Sequence, residues 1–190
     1  NAGDTVKLEV KAPTAAACPN DEHTRLMRQI YALNMLAAEK TGLLLDPDAV
    51  TYFLMSASVE RSFPYVEAVT NIRTVGTLAL QNGVWTAADT VTLQTQLVQL
   101  EQAERSMRRQ LDAMQRAGFE VPKTWAVAKA ATDAFVKSVE ALQVEGKVSG
   151  DPIAHVKRGA DTVDKINAFH NEAMQEMRGH LVAREDKLTR

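Results

Sequence analysis

"LQTQLVQLEQAERSMRRQLDAM", residues 93–114, sets apolar side chains at Leu93, Leu97, Leu100, Met107, Leu111 and Met114. Steps of three, four and seven residues put all six on one stripe of an α-helix, the heptad-like spacing that antiparallel bundles bury in a shared seam. Between them lie Gln, Glu and Arg, so the opposite face belongs to water. A strand would need alternation, and none is present. This segment therefore commits its surroundings to helices packed lengthwise.

The same logic extends in both directions. Thr86 with Asp89 three residues on makes a near capping box at the start of this helix, and Gly118 closes it. Before it, Leu54, Ala57, Arg61, Pro64, Ala68, Ile72 and Val75 form the seam of a second helix ending at "QNG", 81–83. Its start is read at Asp46-Pro47-Asp48: Asp46 accepts from the orphan amides, Pro47 suits the first helical position, and Asp48 favours the positive dipole end. Pro64 removes an internal hydrogen bond and is expected to kink this helix. A first helix runs from about Asp21 to Gly42, capped by Asn20 or Asp21, with Leu26, Ile30, Leu33 and Ala37 inward. A fourth begins at Pro122, with Trp125, Ala128, Phe135, Val139 and Leu142 inward. Asp151-Pro152 opens a fifth of nearly 40 residues, roughly 60 Å at 1.5 Å per residue. Residues 1–20 carry Pro13, Pro19 and an alanine run, and are expected to be extended or disordered. The expected fold is all-α: an elongated up-down bundle of four to five helices in one domain, 21–190. Whether 121–145 and 151–190 form one return leg or two antiparallel legs stays open.

Composition excludes several function classes. With 22 Lys and Arg against 24 Asp and Glu, the net charge of −2 gives no bias towards nucleic acid. The single cysteine, Cys18, excludes an internal disulfide. No run of eighteen apolar residues occurs, so no segment has the length of apolar sequence that spans a bilayer. No HExxH motif, Cys/His cluster, GxSxG motif or glycine-rich phosphate loop occurs, so the sequence offers no metal, cofactor or catalytic set and reads as a non-enzyme. The chain opens on Asn1 without methionine, and helical spacing persists to Arg190, which suggests a piece of a longer protein.

The informative residues are polar ones on apolar seams. Arg61 falls between Ala57 and Pro64 on the inward stripe, where a charge is costly unless paired or hydrated. It faces an anionic ligand, a partner subunit or a carboxylate such as Glu60 or Glu104; alternatively it snorkels to water. In the last helix Asn167 and His170 fall in step with Val156, Ala160, Val163, Met174 and Met177. Tyr31, Tyr52, Tyr65 and Trp125 either line a pocket or belong to the core. The candidate ligand-binding set is Arg61, Tyr65, Tyr31, Asn167 and His170.

"LLLDPDAVTYFLM" at 43–55, followed by "FPYVEAVTNIRTVG" at 63–76, resembles the extracytoplasmic sensor regions of methyl-accepting chemotaxis proteins. Similar regions occur in some sensor histidine kinases and diguanylate cyclases. Asp46, Pro47, Asp48, Tyr52, Phe53, Leu54, Met55, Pro64, Arg73 and Gly76 match that pattern in order, although "TYFLM" has one of the two usual tyrosines. The resemblance covers about residues 30 to 83. It implies a helical module in the periplasm that binds a small molecule, an anion being one candidate, and frequent homodimers anchored through flanking membrane helices outside these residues. The rival reading is a free-standing helical interaction protein.

Overall fold

A computed structural model describes residues 19–143 and 146–189. Cys18 and the "VKLEV" alternation at 6–10 lie outside them, as does most of the segment expected to be extended. The described elements are α1 (Pro19–Lys40), a 3-10 turn (Leu43–Leu45), α2 (Ala49–Met55), a π-turn (Ser56–Glu60), α3 (Ser62–Asn82), β1 (Val84–Trp85), α4 (Ala87–Arg116), α5 (Thr124–Glu140), β2 (Gly146–Lys147) and α6 (Pro152–Leu188). Taken with the bent α2–α3 pair as one leg, these make the all-α bundle that the seams require. Pro19 and Asn20 already belong to α1, so that helix starts two residues earlier than its capping residues suggested.

Contacts along the chain fix the topology. Arg28 meets Glu67 and Tyr31 meets Glu60, so α1 runs antiparallel to the α2–α3 leg. Asn71 bonds Gln96 while Arg61 bonds Ser106, so α4 descends beside α3. The Trp125 ring packs tilted against Phe169 and the Phe135 ring against His155, which makes α5 and α6 two separate antiparallel legs. At one end a two-residue antiparallel ladder pairs Val84 with Lys147 and Trp85 with Gly146, stapling the α3–α4 and α5–α6 loops together. Glu172, on α6, accepts from the Lys123 and Thr124 amides at 3.1 and 2.9 Å and so caps α5 from a neighbouring leg.

The helix starts follow the sequence in two places and depart from it in a third. Thr86 and Asp89 form the full capping box, and Asp151 caps α6 with Pro152 at its first position. At the Asp46-Pro47-Asp48 corner, however, the cap is Asp48, whose carboxylate accepts from the Val50 amide at 3.1 Å. Asp46 does something else. It accepts from the Asp48 amide at 2.8 Å and from Arg184 near the end of α6, whose Nη1 and Nη2 reach Oδ1 and Oδ2 at 2.6 and 2.7 Å. This bidentate clasp holds the Asp46 carboxyl below its usual range. The corner is therefore both a helix start and a latch onto the far end of the chain.

Pro64 exerts its effect upstream of itself. Without an N–H, and with a ring that crowds the carbonyl four residues back, it cannot sit inside a continuous α-helix. The chain widens at Ser56–Glu60, where the Arg61 amide bonds the Ser56 carbonyl at 3.2 Å, and Pro64 then falls in the first turn of α3. The Glu60 carbonyl, deprived of a donor at position 64, accepts instead from the Tyr31 hydroxyl at 3.0 Å.

Between α3 and α6 the legs touch through glycine. The buried His155 ring stands over Gly76, where a Cβ would lie 2.5 Å from His155 Nε2, and the Arg73 stem lies across Gly159. Only Nε2–H can pair with the Arg73 carbonyl, 3.1 Å away, so the ring is held in the Nε2–H form. Arg73 and Gly76, two positions of the sensor-like pattern, thus build a helix crossing. Gly76→Ala is expected to cost about 2 kcal/mol, because overpacking outweighs the gain in helix propensity. In a His155→Ala background the same change should be neutral or stabilising; equal effects in both backgrounds, read by urea denaturation, would refute the contact.

Candidate functional site

Arg61 stands where the π-turn ends, and the widened turn aims its side chain at α4. Its Nε donates to Ser106 Oγ at 3.0 Å. Its Nη1 donates to Glu60 Oε2 at 2.7 Å, to the Ser56 carbonyl at 3.3 Å and to Ser56 Oγ. Ser56 Oγ in turn donates to Glu60 Oε2. Nη2, shared by both forks of the guanidinium, makes no protein hydrogen bond among the described residues. The Arg61 side chain is 26% exposed, so the charge is neither fully buried nor free to snorkel.

An open groove of about 520 Å³ lies against this network. Glu60, Arg61, Pro64 and Glu67 form one wall, and Gln99, Gln102, Ala103 and Ser106 on α4 form the other. That volume falls in the range of small-molecule sites. A second ion pair stands at its edge: Arg28 of α1 places Nε and Nη2 on Glu67 Oε1 at 3.0 and 2.8 Å.

The five sequence candidates do not form one pocket. Arg61 lines the groove, paired with Glu60; Glu104 bonds Arg108 and Lys129 instead. Tyr31 stacks on Phe63 with ring centres 5.0 Å apart and supports the π-turn from behind through the Glu60 carbonyl. Burial raises its hydroxyl pKa, the Glu60 charge adds to this, and Arg61 opposes both. Tyr65 is fully buried and turned to α5, where its hydroxyl donates to Thr132 Oγ1 at 3.1 Å. Burial pushes that hydroxyl far up, and the residue is core. Asn167 is exposed on the outer face of α6.

His170 is buried, 7% exposed, and its Nε2 has no hydrogen-bond partner among the described residues. Desolvation alone lowers its pKa to about 4, so it is a neutral ring at pH 7. The true seam of α6 runs through His155, Gly159, Thr162, Ile166, Phe169, Ala173 and Met177. It is rotated from the stripe of Val156 and Met174, both of which are exposed. The rotation separates Asn167 from His170.

Among the described residues, no group of His, Cys, Asp and Glu is arranged to hold a metal ion, and no helix is long and apolar enough to cross a membrane. The groove lining presents charge pairs, carboxamides and a hydroxyl, a chemistry suited to a polar molecule. Gln99, Gln102, Ser106 and Glu67 gave no sign in the sequence, since polar residues on the solvent face of a helix look alike. Comparison with protein-family models, with curated proteins and with solved structures finds no match.

Proposed function

We propose that this chain is a helical-bundle sensor domain that binds a small molecule in the Arg61 groove and serves a transmembrane chemoreceptor from the periplasmic side. One observation carries the reading. The groove wall is built on a π-turn whose inner residues, Ser56, Ala57 and Ser58, are buried, and that turn packs against α6. A ligand that competes for Glu60 or Arg61 acts on the turn and, through it, on the longest helix. Single π-turns inside helices are frequent at functional sites. Differential affinity for two arrangements of such a turn is all that a sensor requires. The sensor-like pattern from Asp46 to Gly76 lends support, and its homodimeric habit is part of the proposal.

A thermal-shift screen of the folded chain against organic acids, amino acids and aromatic acids tests this. A ligand at a hundred times its Kd adds about 2.7 kcal/mol, which raises the Tm of a chain this size by roughly 5–10 °C. Arg61→Gln should abolish the shift. A well-folded sample that no compound stabilises would end the reading.

A further inference from the structure

We propose that the groove takes a small zwitterion, a molecule carrying both an anionic group and a protonated amine on a short linker. This rests on the reading of the groove as a ligand site. The hydrogen bonds already made leave a specific set of charged atoms unused. Both Arg28 contacts to Glu67 fall on Oε1, which leaves Glu67 Oε2 without a protein partner among the described residues. Both contacts to the Glu60 carboxylate fall on Oε2, which leaves Oε1. Arg61 keeps Nη2. The lining therefore offers one charged donor and two charged acceptors.

Simpler ligands fit this set poorly. A plain anion meets an arginine already neutralised by Glu60, and it also meets two carboxylates whose repulsion counts against it. A plain amine satisfies the carboxylates but covers Nη2 without pairing it, and a desolvated, unpaired donor costs affinity. A sugar or other neutral polyol makes only neutral bonds, whereas charge-assisted ones are about twice as strong. A zwitterion satisfies both signs at once: its anion bonds Arg61 Nη2 and its ammonium bonds Glu60 and Glu67. Gln99, Gln102 and Ser106 remain for other polar atoms. The apolar lining is confined to Pro64, Ala103 and side-chain stems, which offers little for a large apolar group.

Calorimetric titration of the intact chain tests the class. The probes are the standard amino acids and the series glycine, β-alanine, 4-aminobutyrate and 5-aminovalerate. Each is matched with its N-acetyl and carboxamide forms, and succinate, benzoate, simple amines and glucose complete the set. At least one zwitterion should bind ten-fold or more tightly than both of its capped forms. Glu67→Gln, which keeps the shape of the side chain and removes its charge, should weaken that zwitterion at least ten-fold. Binding of succinate, benzoate, amines or glucose without any zwitterion, lost in Gln99→Ala, would overturn the class and leave the sensor reading standing. Zwitterion binding that is indifferent to Glu67→Gln and Arg61→Lys would overturn it as well. No heat from any probe would remove the groove as a ligand site and this inference with it.

Discussion

Phe169→Ala is expected to lower the melting temperature by roughly 10 °C. The ring is fully buried at the point where α3, α5 and α6 meet, 5.1 Å from the Trp125 ring, which itself lies 5.8 Å from Tyr65. Truncating a buried phenylalanine costs about 3–5 kcal/mol, from lost transfer energy and the cavity left behind. For a domain of this size each kcal/mol is worth about 2–4 °C. Neighbouring legs cannot collapse far into the void, because the glycine crossing at Gly76 and Gly159 already holds α3 and α6 at close approach. Phe169→Leu should lose much less, since it restores most of the volume. Far-UV circular dichroism should be unchanged while Trp125 emission shifts with its altered surroundings. A Tm within about 3 °C of wild type would show that these three rings are not the centre of the core.

The second large effect is acid lability. An unfolded histidine titrates near 6.5, whereas buried His170 titrates at about 4. Between those values the unfolded chain binds the extra proton and the folded chain does not. Stability is therefore whole above pH 6.5 and falls as the pH drops towards 4, by about 3 kcal/mol for a shift of this size. Burial is the sole cause, so salt should change the effect little. His155 pulls in the same direction, with burial again the leading cause. Asp46 acts in a lower window: its pKa is depressed, so its contribution persists above about 3.9 and disappears only as the pH falls through the folded value. Urea denaturation at pH 7, 6, 5 and 4 samples the histidine window and leaves the Asp46 contribution below it. His170→Leu should make the curve shallower between 6.5 and 4, with the remaining slope due to His155, and parallel curves for wild type and variant would contradict the assignment.

Regular features of this fold were readable because each has a local cause. The capping box at Thr86, the Asp151-Pro152 start and the glycine stop after "QN" depend on residues within one turn, and the α4 stripe on a single helix face. The rest depends on partners far along the chain. Asp46 looked like a cap because the residue that diverts it, Arg184, belongs to the opposite end of the sequence. Pro64 announced a distortion, but the donor that serves the Glu60 carbonyl in place of its missing N–H, Tyr31, lies on a separate helix. The α6 seam was misphased because His155, Gly159 and Thr162 form its whole first half-length before Ile166, and none of them counts as apolar. For the site, Arg61 on an apolar stripe lines the groove. Tyr65, one turn on, belongs to the core, with its hydroxyl turned to Thr132 on α5.

Asp46 and Arg184 stand 138 residues apart, and their clasp has a kinetic consequence. Closing so long a loop carries a large entropic cost, and contacts of that range arise after the local helices and hairpins have formed. An interaction absent from the rate-limiting step slows departure from the folded state without hastening arrival. The latch is expected to act as a brake on unravelling: chains without it should reach the same bundle at the same speed and hold it for less time.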